Sequence, residues 1–175
     1  VTDKTIFRLS SLTKAITSVA AVQLVEQGRL DLDAPATEWL PEIGDAQVLT
    51  GFSADGQPTL RPPRRPVTLR HLLSHTSGFS YEIWNNDIQK VQAAFGIPAI
   101  TDCRNLSLTT PLLFDPGEGW DYGIGIDWAG RMVETVSGLT LGHYLKKNLF
   151  DPLGMNDTAF RISPAMREQI GRAHV

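Results

Sequence analysis

Cysteine is almost absent from this sequence. Cys103 stands alone among 175 residues, which excludes an internal disulfide and a cysteine-built metal centre. No apolar run approaches the roughly 20 residues that a membrane span requires, and no basic segment followed by an apolar block reads as a signal peptide. Neither sign of charge dominates: 16 Lys and Arg against 19 Asp and Glu leave a net charge of -3, so there is no electrostatic footprint for nucleic acid or for an anionic membrane surface. Internal repeats and low-complexity tracts are missing too. What remains is the composition of a soluble globular protein, 42% hydrophobic and 20% charged, in a chain long enough for one domain with a real core. Small molecules are the partners that this leaves.

The apolar spacing sets out the elements. Ile16, Val19, Ala20 and Leu24 keep a helical period up to Gly28, a residue suited to a left-handed cap, so the spacing predicts a helix that starts near Ser11. Val48 to Phe52 and Gln57 to Leu60 flank Asp55-Gly56, the pattern of a small hairpin. The three prolines and three arginines from Arg61 to Pro66 read as a stiff, solvated connector. Thr68 is placed to cap a short helix with Leu69, Leu72 and Leu73 on one face. Trp84, Ile88, Val91 and Phe95 mark another, stopped by Gly96 and Pro98, and Ile126, Ala129, Val133 and Val136 a further one, closed by Gly138. Thr140 can cap the next, with Lys146 and Lys147 at its C-terminal end, where the dipole favours cations. The polar tail, residues 161–175, is expected to be loosely held.

Two stretches carry chemistry. Ser11 and Lys14 form S-x-x-K, which puts a hydroxyl and an amine on one helical face, so that an unprotonated lysine could take the serine proton. A lysine serves as a base only if its pKa is lowered, and burial beside a tyrosine, away from carboxylates, would do that. Ser10, just before, suits the role of helix cap. The second stretch, Phe114 to Gly123, is rich in turn-forming residues and carries Trp120 and Tyr122, more than a connector needs. His71 and His75 are four apart, as zinc ligands on a helix can be, but no Glu follows His71 and no third ligand is evident. No metal is therefore expected, and His75 with its neighbouring hydroxyls is expected to hold a turn.

Taken in order, these pieces resemble the serine β-lactamase and penicillin-binding-protein superfamily, in its branch of class C β-lactamases and family VIII carboxylesterases. Phe7 to Lys14 looks like the nucleophile segment, Leu72-Leu73-Ser74-His75-Thr76-Ser77-Gly78 like a structural signature, Pro116 to Tyr122 like the segment of the second catalytic motif, and Asp151 to Met155 with Asp157-Thr158 like the family's post-helix turn. The resemblance covers roughly residues 5 to 160. It implies Ser11 as nucleophile, Lys14 as general base, Tyr122 as a second proton-transfer group, and Trp120 and Ile124 as substrate-binding residues. Acyl transfer through a serine acyl-enzyme follows, with no metal or organic cofactor.

Two departures shape the expectation. The lactamase form of the second motif is Y-x-N, but Ile124 occupies the third position. Loss of that amide favours small acyl esters over β-lactams. A third motif on a distant strand is not found, since Trp128-Ala129-Gly130 falls within a predicted helix. The expected fold is therefore mainly α with a small β-hairpin: the helical portion of the α+β β-lactamase/transpeptidase-like fold, as a single partial domain over 1–175, cut at both ends and lacking most of its antiparallel sheet. The uncovered sheet-facing surface predicts self-association or a complementing fragment. The leading function is a serine carboxylesterase. The alternatives are a β-lactamase or D-alanyl-D-alanine carboxypeptidase, and a non-catalytic binding domain on the same scaffold. No compartment is assigned, with the cytoplasm favoured.

Overall fold

The computed structural model describes Thr2 and residues 5–170. A 3-10 turn, Ser10–Leu12, runs directly into helix α1, Thr13–Glu26. Two further 3-10 turns, Ala36–Glu38 and Pro41–Asp45, lead to an antiparallel hairpin of β1, Val48–Phe52, and β2, Pro58–Arg61. Helices α2, Leu69–Leu73, and α3, Asn86–Phe95, follow. After the irregular stretch to Gly123 come α4, Gly125–Ser137, α5, Leu141–Leu145, which continues as a π-helical turn over Lys146–Phe150, and α6, Pro164–Gln169. Helices with one small sheet are therefore what the described residues form, as the hydrophobic spacing predicted.

Local chemistry accounts for the boundaries. The Thr68 hydroxyl accepts from His71 N–H while His71 Nδ1 accepts from Thr68 N–H, so both ends of a capping box are closed at α2. Asn85 Oδ1 accepts from the N–H groups of Asp87 and Ile88 and starts α3 there. Trp84 therefore lies before the helix that its spacing assigned it to, half exposed rather than in the core, and Phe95 is exposed as well. Gly28 and Gly138 take the left-handed φ values of 66° and 71° that stop α1 and α4. Ser53 to Gln57 closes the hairpin around Asp55-Gly56, with Ser53 N–H donating to Gln57 O at 2.9 Å.

The core lies where α1, α2 and α5 meet α4. Ala20, Ala21 and Leu24 of α1 are sealed against Ala129, Met132 and Val133 of α4 and Leu145 of α5. Small residues on α1 permit this close approach. The opposite face of α1, with the turn before it, is apolar and open: Leu12, Val19 and Val22 are 67%, 45% and 41% exposed. Val19, grouped by its spacing with Ile16, Ala20 and Leu24, is thus on the side away from the core, because most residues on this helix are apolar or small and the period alone selects no face. Leu112 joins the hairpin edge, its N–H donating to Gln47 O and its carbonyl accepting from Leu49 N–H, both at 2.8 Å. Trp128, buried in α4, stacks on Phe79 and belongs to the core. Within the tail, α6 occupies 164–169, and residues 171–175 lie outside the described residues.

Candidate active site

Ser11 sits in the 3-10 turn that precedes α1, and Lys14 follows in the first turn of the helix. Lys14 Nζ donates to Ser11 Oγ at 3.4 Å. Ser10 is not a cap: its side chain bonds no helix N–H, and its backbone takes a φ of 47°. A non-glycine residue held in this region is strained, and here the strain turns the chain sharply just before the hydroxyl of Ser11. The exposed Ser11 side chain is presented at the start of the helix as a result.

Tyr122 reaches the same place from 111 residues away. Lys14 Nζ lies 4.8 Å from the centre of the Tyr122 ring and 5.3 Å from that of Tyr81. The Tyr122 loop is fixed by several bonds. Asp121 N–H donates to His75 O at 3.0 Å, Gly123 N–H donates to His75 Nδ1 at 3.4 Å, and the Ser80 hydroxyl donates to an Asp121 carboxylate oxygen at 3.1 Å. A Cβ at Gly123 would stand 2.4 Å from Phe79 O and 2.5 Å from Ser80 Cα, so only glycine lets this loop lie on the 79–80 backbone. His75, itself at a φ of 59°, packs its ring 4.7 Å from that of Tyr122. His75 does hold a turn, and that turn is what carries Tyr122.

A second anchor holds the start of the same loop. Asp115, 1% exposed, accepts from both terminal nitrogens of Arg61, at 2.9 and 2.6 Å, and from Arg64 N–H at 2.8 Å. The Arg61 to Pro66 stretch is therefore no solvated connector but a clamp on the loop, and a buried carboxylate with these three donors is held well below the usual carboxylate range, Arg61 foremost.

The rings around Lys14 include residues with no signature in the sequence. Trp84 stacks on Tyr122 at 5.4 Å with 30° between planes, and Tyr81 meets Trp84 edge-on at 5.3 Å. The Tyr81 hydroxyl donates to Asp127 Oδ2 at 3.4 Å. Trp120 is 66% exposed and touches His75 edge-on at 6.3 Å, so it stands at the rim. Ile124 is 1% exposed and packs in the core. It presents no surface to a substrate, because the chain turns at Tyr122 and sends Ile124 inward to begin α4. A cleft of about 490 Å³ lies beside Ser11, with Lys14, Thr17 and Asp127 also among its lining.

Proton affinities follow from this packing. Burial pulls Lys14 down, but bonding to the Tyr122 and Tyr81 oxygens outweighs it, and the net shift is upward. This corrects the expected lowering: a tyrosine beside a lysine stabilises the ammonium, whereas only desolvation destabilises it. Tyr122 moves the other way. Burial raises it, yet Lys14 and Ser11 together bring it below the ordinary phenol value. Tyr81 is pushed up to about 12, chiefly by burial and then by the charge of Asp127. His71 and His75 are both lowered, mainly by burial, and His71 Nδ1 is committed to its cap. Among the described residues no three His, Cys, Asp or Glu side chains stand together as metal ligands.

Known proteins resemble this chain in sequence and in fold. The sequence profile described as Beta-lactamase matches residues 1–174. The chain is 46% identical over 164 residues to the lovastatin esterase of Penicillium rubens, covering 93% of this chain and 41% of that protein. It is 40% identical over 156 residues to the monacolin J acid methylbutanoyltransferase of Aspergillus terreus, covering 89% and 38%. The unliganded simvastatin synthase of Aspergillus terreus superimposes with a TM-score of 0.89 at 38% identity, over 97% of this chain and 44% of that one. The chain thus spans about two fifths of the length of these relatives. With the Ser11 turn, the His75 segment and the Tyr122 loop brought together, the chain belongs to the Beta-lactamase family, the superfamily of serine β-lactamases and penicillin-binding proteins.

Proposed function

We propose that these residues carry the nucleophile and proton path of a serine hydrolase that cleaves small acyl esters through an acyl-enzyme. The convergence of Ser11, Lys14 and Tyr122 from two distant segments is the observation that supports it most. The directions of the proton affinities divide the roles. Lys14, raised, stays an ammonium, and Tyr122, lowered beside it, is the group that takes the Ser11 proton. As the O–H bond of Ser11 breaks towards Tyr122, Oγ bonds to the ester carbonyl carbon. The oxyanion that develops is favoured by N–H groups at the helix start. Collapse expels the alkoxide, which receives the proton back from Tyr122, and water repeats the sequence to free Ser11.

Trp120 at the rim is read as a substrate contact. Ile124 lies in the core, so the third position of the Y-x-N motif offers no amide to the site. Esters are accordingly favoured over β-lactams. The named esterase among the relatives supports this reading, while the methylbutanoyltransferase supports a second one in which an alcohol replaces water as acyl acceptor. The open apolar face of α1 is proposed to drive self-association of the 175-residue chain on its own. The enzyme reading is tested on protein expressed from its whole reading frame, by comparing hydrolysis of a p-nitrophenyl ester with that of a chromogenic cephalosporin. Ester turnover well above cephalosporin turnover is expected; fast cephalosporin cleavage without ester cleavage would refute the substrate choice.

A further inference from the structure

Two phenols, not one, stand beside Lys14. Their ring centres are 5.7 Å apart, and Nζ lies almost equally close to each. Left to themselves they would compete for the same proton, and a site that shuttles one proton needs them to differ. We propose that Asp127 is a positioning residue: by accepting the Tyr81 hydroxyl it keeps that phenol protonated and leaves Tyr122 as the one that moves the proton. The proposal rests on the reading of Ser11, Lys14 and Tyr122 given above.

The geometry supplies the asymmetry. Both phenols bond Lys14, but Tyr81, almost fully buried, also points its hydroxyl at Asp127 Oδ2, whereas Tyr122 also bonds Ser11. Asp127 stands in the first turn of α4, where the helix dipole favours a carboxylate, and its side chain opens onto the cleft that Ser11 and Lys14 line. An acid that only stabilised the helix end would need neither the cleft nor the phenol.

The other charged groups leave Asp127 free for this role. From α1 it is faced by Lys14, whose charge lowers it against the raising effect of desolvation. Arg8 and Arg104 line the same cleft. On its own helix Arg131 is paired with Glu42 at 3.1 Å, and a Glu134 carboxylate oxygen accepts from Leu141 N–H at 2.7 Å. The proton affinities agree with the assignment: the charge of Asp127 acts to raise both phenols and Lys14 to lower both, but Tyr81 is the more desolvated and only Tyr122 has Ser11 as a further lowering partner.

The test compares the parent with Asp127→Asn and Asp127→Glu, all expressed from the whole reading frame. The pH dependence of kcat/KM for p-nitrophenyl acetate is measured beside the rate of fluorophosphonate labelling at Ser11. Removal of the negative charge makes Tyr122 easier to ionise, so Asp127→Asn is expected to move the acidic limb to lower pH by about half a unit or more, and Asp127→Glu to return it towards the parent. Tyr122→Phe is expected to slow labelling at least about tenfold more than Tyr81→Phe. Superimposed profiles for the parent and Asp127→Asn, or a greater loss from Tyr81→Phe than from Tyr122→Phe, overturn the role of Asp127 while labelling at Ser11 leaves the serine reading standing. A parent that is not labelled at Ser11 overturns both.

Discussion

In the proposed mechanism Ser11, Lys14 and Tyr122 work as a unit, and this decides what single substitutions should do. Lys14→Ala removes the charge that keeps Tyr122 low, and Tyr122→Phe removes the acceptor itself. Each is expected to lower kcat/KM on p-nitrophenyl acetate by about 10²- to 10⁴-fold, and the double variant to lose little more than either single one. The pH dependence has a definite sign. In the proposed mechanism activity needs the Lys14–Tyr122 pair with one proton removed, so the rate should rise with pH, with its midpoint below the ordinary phenol value. A rate that fell over that range would contradict Tyr122 as base. At this scale the meeting of Ser11, Lys14 and Tyr122 was legible in the sequence, because S-x-x-K is local and Tyr122 follows a turn-rich run. Tyr81, Trp84 and Asp127 were not, since a tyrosine, a tryptophan and an N-terminal helix acid are each ordinary where they stand in the sequence. Only the fold brings them to Lys14.

At the scale of elements, the loop from Phe114 to Gly123 is held at both ends, and each end makes a testable claim. Gly123→Ala would drive a Cβ into the 79–80 backbone, and it is expected to cost more than about tenfold in activity, measured by ester hydrolysis, with a lowered Tm in the same protein. Arg61→Ala would leave Asp115 buried without its main partner, and thermal unfolding should show the loss. Asp115 also fixes a pH effect on stability. Its carboxyl is held below the unfolded value, so the stabilisation is present above that value and is lost as pH falls towards the folded one. Arg61→Ala should flatten this acid dependence. The clamp lay outside the reach of sequence reading because its partners are 54 residues apart, and three arginines among prolines look like a linker until a buried carboxylate is found between them. Helix starts at Thr68 and Thr140 were legible from their cap residues, whereas Ser10, equally suited to capping, bends the chain instead.

For the whole molecule, the helical core is complete on one side of α1 and open on the other. Leu12, Val19 and Val22 form an apolar stripe with no partner among the described residues, so sedimentation of the 175-residue chain alone should show association that grows with concentration. A monomer at all concentrations would contradict that expectation. The mainly helical character with one hairpin followed from periodicity, which is a local property, while the choice of face on α1 did not, since a helix apolar nearly all round carries no directional signal. The central claim is that Ser11 is the nucleophile, and one measurement meets it directly: mass spectrometry of the protein, expressed from its whole reading frame, after reaction with a fluorophosphonate. The account requires one adduct, on Ser11, absent from Ser11→Ala and slowed in Tyr122→Phe; an adduct on another residue, or equal labelling of Ser11→Ala, would contradict it.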